Sequence, residues 1–312
     1  MTNTIDWPAI PFPRWKDTCA ALHLYTQIVG KYRLAHTPWV NHSWHATLYV
    51  NADGLTTGLI PDGPGVSVQF DLQRQRLIAS CSTGHRTDFA LGPMTVAAFD
   101  RQFREAVAAV GGTPSYHGWP NEVPEVTPFA DDHQARPWDA QAVSDFHRAL
   151  VQIDGVFNAF RTGFLGKVSP VHLFWGSFDV AVTRFSGRPA PLHPGGIPNL
   201  PDLVTQEAYS HEVSSAGFWP GGGGIDEPCF YSYAYPTPEG FAEQPVAPQD
   251  ARFDQNLGEF VLPYEAVRSA SDPRAALLAF LQSTYDAAAK LGDWDESLSC
   301  ALGRKGAPRA IG

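Results

Sequence analysis

Apolar positions recur at three- and four-residue spacing in four stretches of the chain, which predicts four helices. The first covers 17–31, with Leu22, Tyr25 and Val29 on one stripe. In the second, Thr95 caps a stripe of Val96, Phe99, Phe103, Val107 and Val110 that ends at Gly111-Gly112. In the third, Asp139 is the cap and Val143, Phe146, Leu150, Ile153, Phe157 and Phe160 make the stripe. The fourth opens at Asp272-Pro273 and runs through Leu277, Phe280, Leu281, Thr284, Ala288 and Leu291.

Between the first two helices the period changes to two. Segments 43–50, 55–60, 66–72, 76–82 and 86–91 alternate, and Asp53-Gly54, Asp62-Gly63 and Thr83-Gly84 punctuate them, so the stretch predicts a β-meander. Strands are also predicted at 171–185, 228–235 and 258–263. Strands and helices come in runs without regular alternation, which indicates an α+β fold: a largely antiparallel sheet with about four helices packed on it. The expected organisation is a single α+β domain over 1–297 followed by a disordered tail over 298–312, which has little to pack. Ser169-Pro170 and its strand echo Thr37-Pro38 and its strand at an offset of 132 residues, suggesting pseudo-repeats over 14–135 and 136–295.

Composition narrows the class. The chain has 312 residues, 44% of them hydrophobic and 17% charged, with 28 Gly, 27 Pro and a formal charge of −10. That supports a sizeable core and excludes a disordered chain or a coiled coil. Only Lys16, Lys31, Lys167, Lys290 and Lys305 are lysines within an acidic total, so nucleic acid is not an expected partner. No basic leader precedes an apolar run, and no segment approaches the roughly 18 apolar residues of a membrane span. The expectation is therefore a cytoplasmic protein without a membrane partner. Cys19, Cys81, Cys229 and Cys300 lie far apart, as reduced thiols would.

Familiar catalytic signatures fail one by one. His211-Glu212 opens like H-E-x-x-H but Ser215 stands at the fifth position, and Gly221–Gly224 is followed by Ile225-Asp226-Glu227 in place of a P-loop's Gly-Lys-Ser/Thr. Val213 stands where a G-x-S-x-G elbow needs its first glycine. What remains is a concentration of histidines, acids and aromatics in three segments. In 37–50, strand parity puts Trp44, Ala46, Leu48 and Val50 on one face and Ser43, His45, Thr47 and Tyr49 on the other. His45 is then a base or metal ligand, or a histidine hydrogen-bonded at a sheet surface. In 169–196, Phe174, Phe178, Val180 and Val182 form the core face, opposite Trp175, Ser177, Asp179 and Thr183. A carboxylate in mid-strand must reach water or find a partner, for which Arg161 is available. Arg184 and Arg188 border a Pro/Gly loop with His193, a plausible anion clamp. In 208–224, His211 and Glu212 precede Phe218-Trp219-Pro220 and four glycines, which indicate a mobile flap or a close backbone approach.

The blocks WVNHSWHATLYV, SPVHLFWGSFDVAVTRFSGR, AYSHEVSSAGFWPGGG and LGEFVLPYEAVR resemble those of an uncharacterised bacterial family of unknown function, over nearly the whole chain from Trp7 to Trp294. The resemblance implies one full-length module and carries no activity or cofactor.

Two functional expectations follow. In the first, the chain is an enzyme performing acid–base or metal-assisted hydrolysis on a small, in one version anionic, molecule in an aromatic-walled cleft. His45, Asp179, His211 and Glu212 would be its catalytic groups, Trp175, Ser177, Arg184, His193, Phe218 and Trp219 would bind substrate, and a divalent metal is the one cofactor considered. In the second, the same cleft binds a small molecule without catalysis and the histidines are structural. An enzyme needs His45, Asp179 and His211 at one cavity; a binder needs only the aromatic walls. Oligomeric state is left open by the sequence.

Overall fold

A computed structural model of the chain describes residues 7–222 and 225–303. Two open antiparallel sheets and six helices make up the described residues, an α+β fold as the run-wise pattern indicates. The first sheet is a meander in chain order: β1 (Tyr49–Val50), β2 (Gly54–Ile60), β3 (Val66–Asp71), β4 (Arg76–Cys81) and β5 (Arg86–Ala90). The second contains β6 (His172–Phe174), β7 (Asp179–Pro189), β8 (His211–Trp219), β9 (Cys229–Tyr235), β10 (Arg252–Asp254) and β11 (Glu259–Pro263), in the order β10-β11-β9-β8-β7-β6.

The four long helices are α1 (Phe12–His36), α2 (Val96–Ala109), α3 (Ala140–Arg161) and α6 (Pro273–Leu291); α4 (Asp202–Ala208) and α5 (Tyr264–Arg268) are short. Three of the long ones begin at an expected cap: Thr95 accepts from the Ala98 amide, Asp139 from Ala142 and Asp272 from Ala275. α1 runs well past the expected 17–31 because it buries polar residues as well as apolar ones. Gln27, Lys31 and Arg33 are all buried in its second half.

Two expected strands are broken. Segment 43–50 is not a strand: residues 41–43 form a 3-10 turn in which His42 and Ser43 take left-handed backbone angles, and regular pairing begins only at Tyr49. Left-handed backbone ends a pleat, so the two-face parity expected for His45 does not apply. Segment 171–185 is two strands, with a tight turn at 175–178 where Phe178 is left-handed. Asp179 therefore opens β7 instead of sitting mid-strand. Phe174 pairs with Asp179 across the hairpin and shares its face, not that of Val180 and Val182.

The two sheets are joined edge to edge. The Leu48 amide donates to the Leu173 carbonyl at 3.0 Å and the Leu173 amide donates back at 2.7 Å, so β1 and β6 cover each other's outer edge. Both leucines are fully buried. On the second sheet, registered rows separate an apolar inner face (Val180, Phe218, Phe230, Leu262) from an outer face (Ala181, Gly217, Tyr231, Val261). α6 packs against β8 and β9 on the inner face. Over the outer face lie the 41–43 turn, whose His42 packs on Phe185 and which α4 contacts in turn, and the loop around Glu122, with Lys31 of α1 over the Trp175 ring.

The stretch 298–303 is docked, contrary to the expected tail: the Cys300 amide donates to Gly163 and Phe164 bridges to Ser299. Residues 304–312 of that expectation lie outside the described residues. At the 132-residue offset α1 falls on most of α3 and β1 falls within β7, whereas the 41–43 turn falls on 173–175.

Leu173→Ala removes the buried side chain at the sheet junction, and urea denaturation should register a loss of about 2–5 kcal/mol. Leu192→Ala, at a 75% exposed position, should stay within about 0.5 kcal/mol of wild type in the same titration.

Candidate functional site

The polar groups that do converge lie on the outer face of the second sheet, at the β6–β7 turn. Asp179 is buried and accepts hydrogen bonds from the Ser177 hydroxyl and the Tyr231 phenol, both short. Tyr231 reaches it because Gly217, its neighbour across the sheet, has no side chain: a Cβ there would collide with the Tyr231 ring. Trp219 lies against the other side of that ring, with centroids 4.3 Å apart. Ser177, Asp179 and Trp219, all anticipated from sequence, thus meet around a tyrosine that was not. The expected Arg161 partner of Asp179 is absent; two hydroxyls take its place.

A second string of hydroxyls runs along the same face. Tyr209 donates to Tyr233 at 2.9 Å, Tyr233 interacts with Ser215, and the Ser215 and Thr183 hydroxyls are 2.8 Å apart. His193 stacks on Tyr209 at 4.8 Å, which brings another anticipated residue to the rim.

Across from Asp179 stands a polar stripe of α1. His23, Gln27 and Lys31 are four residues apart and share one helix face. His23 Nε2 meets the Gly176 carbonyl at 2.8 Å, Gln27 exchanges two 2.8 Å bonds with the Asn121 backbone, and Lys31 donates to the Asn121 side chain. Asn121 in turn sets Glu122, whose carboxylate lies over Gly176 where a Cβ would collide with it. Trp175, anticipated as a wall residue, is a structural pin: its ring fills the space a Cβ on Gly30 would need, and its Nε1 donates to the Ala46 carbonyl at 2.7 Å.

Burial governs the electrostatics. It raises the Asp179 carboxyl above its ordinary range against the pull of its two hydroxyl donors. Burial, and then the charge of Asp179, push Glu122 up to about 7, with Lys31 opposing. Glu259, which faces Tyr233 across β9 and β11, is pushed up to about 8 by burial and by Asp179 and Asp254; its Oε2 has no hydrogen-bond partner. Lys31 is held down at about 8 by burial. After burial, the charge of Asp179 acts on both glutamates, so their protonation is linked to the state of residue 179.

The other anticipated residues lie elsewhere. His45 is buried in the turn after residue 43; its Nδ1 accepts from the Val40 amide at 3.1 Å and its carbonyl accepts from Arg33 at 2.7 Å. His211 and Glu212 are successive strand residues and so point to opposite faces. His211 lies 6.2 Å from the His42 ring, while Glu212 forms an ion pair with Arg188 at 2.7 Å. Phe218 belongs to the core, packed on Phe230 and Tyr264. Arg184 is fully buried on the inner face, with the Phe160 and Tyr285 rings 3.5 and 4.1 Å from its guanidinium and Nη2 donating to the Phe160 carbonyl at 2.5 Å, so it lies away from the outer face and its loop. Of the two readings of the glycine run, Gly221 shows a close backbone approach: it packs so closely on Phe12 that a Cβ would collide with its ring. Gly223 and Gly224 lie outside the described residues.

Among the described residues no three His, Cys, Asp or Glu side chains come together to hold a metal ion, and no helix is long and apolar enough to cross a membrane. A surface depression of about 310 Å³ lies elsewhere, lined by Ala52, Gln73, His147, Arg148, Val151 and Gln152.

Fold and site together define a two-sheet α+β module whose second sheet carries a layer of buried carboxyls and tyrosines. The chain belongs to a family of unknown function, DUF5996, whose model matches residues 7–300. Comparison with curated proteins and with solved structures found no match.

A carboxyl raised in the folded state binds its proton more tightly there than in the unfolded chain. Its stabilising contribution is therefore present below the ordinary value near 4.5 and is lost as pH rises to the folded value. For Glu122 that window is about 4.5 to 7. Glu122→Gln should gain on wild type by about 2–3 kcal/mol across it, read from urea denaturation at a series of pH values.

Proposed function

We propose that the chain is a small-molecule-binding module whose site is the outer face of the second sheet around Asp179, Tyr231 and Trp219. The observation that carries this reading is the separation of the anticipated catalytic groups. Asp179 is joined to Ser177, Tyr231 and, through Tyr231, to Trp219, while the Nδ1 of His45 is taken up by the Val40 backbone and Glu212 by Arg188. A histidine anchored through Nδ1 can still act through Nε2, so what counts against catalysis is that none of the contacts of His45, His211 or Glu212 reaches Asp179. Stacking and hydroxyl recognition need only the rings and hydroxyls that are assembled.

The chemistry of the face favours a neutral or cationic ligand with several hydrogen-bonding groups. The charged side chains at its deep end are Asp179, Glu122 and Glu259 with Lys31, and the arginine anticipated as an anion clamp is buried on the other side of the sheet. A ligand amine would favour ionisation of the raised carboxyls beside it, and Trp219 and Tyr231 supply ring faces for a cation or an apolar edge.

One observation supports acid–base catalysis as a second reading: Glu122 is poised near neutrality beside Asp179, as carboxyls at catalytic sites often are. In that version Glu122 is the proton carrier and Asp179 holds its pKa up.

Thermal-shift screening with a panel of small amines, amino sugars and polyols tests the binding reading. Binding compounds should lose at least about tenfold in affinity, roughly 1.4 kcal/mol, in Tyr231→Phe and in Trp219→Ala. Compounds whose affinity ignores both substitutions would contradict it, as would a panel with no binder at all. Conversion of a bound compound, abolished in Glu122→Gln, would favour the catalytic version.

A further inference from the structure

The far end of the outer face brings together an amine and a base that the site at Asp179 does not use. Asp179 and Phe185 lie six residues apart on β7, about 20 Å along the strand. The 41–43 turn packs on Phe185 through the His42 ring, centroid to centroid at 4.7 Å. His42 is buried, and its φ of 59° is a costly conformation for a residue with a side chain. Two groups of α4 hold it there. The His42 amide donates to the Glu207 carboxylate at 3.0 Å, and the ring Nδ1 donates to the Ala208 carbonyl at 3.3 Å.

The second of these bonds fixes the tautomer. A carbonyl oxygen can only accept, so Nδ1 carries the hydrogen and Nε2 presents a lone pair. Lys167 Nζ donates to that lone pair at 2.6 Å. The same Nζ lies 4.8 Å from the centroid of the Phe185 ring and 5.1 Å from that of Trp44, so two ring faces and the imidazole set its position. Lys167 is itself an exposed residue, open to molecules from solution. Burial, against the charge of Glu207, holds the amine below the ordinary lysine range, and burial and then the charge of Lys167 hold the imidazole below its own. A nucleophile, a base within hydrogen-bond reach and a third group that orients the base are the parts of an activated-nucleophile site.

We propose that Lys167 forms an imine with an aldehyde and that His42 carries the proton between the reacting atoms. The ammonium gives a proton to His42 Nε2, which frees the nitrogen lone pair. Nζ attacks the aldehyde carbon, a C–N bond forms, and the carbonyl π pair moves to oxygen, which takes the proton from His42. The nitrogen then passes a second proton to His42, which hands it to the new hydroxyl. That group leaves as water while the nitrogen lone pair closes the C=N bond. Ammonium and aldehyde have become a protonated imine and water, and His42 ends as it began. Exposed apolar side chains stand on both segments, Trp39 and Val40 before the turn and Leu165 before Lys167, and Glu207 is the acid beside the pair. They favour an aldehyde with an aromatic or apolar body and no negative charge. The inference is independent of the binding reading above, whose residues it does not use.

The test uses the full chain at neutral pH, with benzaldehyde as the probe, cyanoborohydride to reduce the imine to a stable benzylamine, and peptide mass spectrometry to quantify each labelled lysine. Lys167 should be labelled at least about tenfold faster than the exposed Lys16 and Lys290. In His42→Asn, where asparagine tolerates the left-handed backbone, that rate should fall to within about threefold of theirs. Lys167→Arg should lose this label and leave the labels at Lys16 and Lys290 unchanged. Where His42→Asn does not fold, the pH profile of the wild type decides, since labelling of Lys167 should persist to lower pH than labelling of Lys290. Equal rates at the three lysines in wild type overturn the proposal, as do a fast Lys167 that is unchanged in folded His42→Asn and a pH profile that coincides with that of Lys290.

Discussion

Two reciprocal main-chain hydrogen bonds, between Leu48 and Leu173, hold the architecture in its present form. They turn two open sheets into one continuous surface and remove an exposed edge from each. They also fix where the middle of the molecule is. Next to the pair, Tyr49 meets His172, and the Trp175 ring is anchored between the Ala46 carbonyl and Gly30 of α1. α1 is thereby pressed against the start of β7, and its polar stripe faces Asp179 instead of water.

Burying so many ionisable groups is tolerable because few of them need be charged at once. The carboxyls of Asp179, Glu122 and Glu259 are pushed up, and Lys31 is pushed down. Where a charge is fixed, as on Arg184, the solution differs: aromatic faces cover the guanidinium on both sides. One face of the second sheet is thus a static core with a single caged cation. The other is a layer of movable protons and stackable rings, which is where chemistry or recognition has room to act.

Much of the scaffold was legible. The caps Thr95, Asp139 and Asp272 and the apolar stripes behind them locate α2, α3 and α6, and the Gly-containing turn dipeptides locate the meander. The failures have local physical causes. Left-handed backbone at His42, Ser43 and Phe178 interrupts two stretches that read as unbroken strands, and non-glycine residues give no warning of it. β8 was hidden because its run of small residues, Ser214, Ser215, Ala216 and Gly217, resembles a loop, although Gly217 is what lets Tyr231 lie down. Of the site, the misplaced-looking acid at Asp179 was a sound signal. The alternation of tyrosines at 231, 233 and 235 and the i, i+4, i+8 spacing of His23, Gln27 and Lys31 were present in the sequence and are readable once buried polar stripes are sought. Glu122 had no such signal, since it lies in an irregular loop and owes its role to Asn121 and Gly176.

The central claim is that burial and the charge of Asp179 together hold Glu122 and Glu259 protonated toward neutrality. Carbon-13 NMR titration of the side-chain carboxyls, in wild type and in Asp179→Asn, tests it most directly. The account predicts a Glu122 midpoint near 7 and a Glu259 midpoint near 8, both moving down when residue 179 can no longer carry charge while burial keeps them above 4.5. Glutamates that titrate near 4.5 in wild type, or midpoints that do not move in Asp179→Asn, would contradict it.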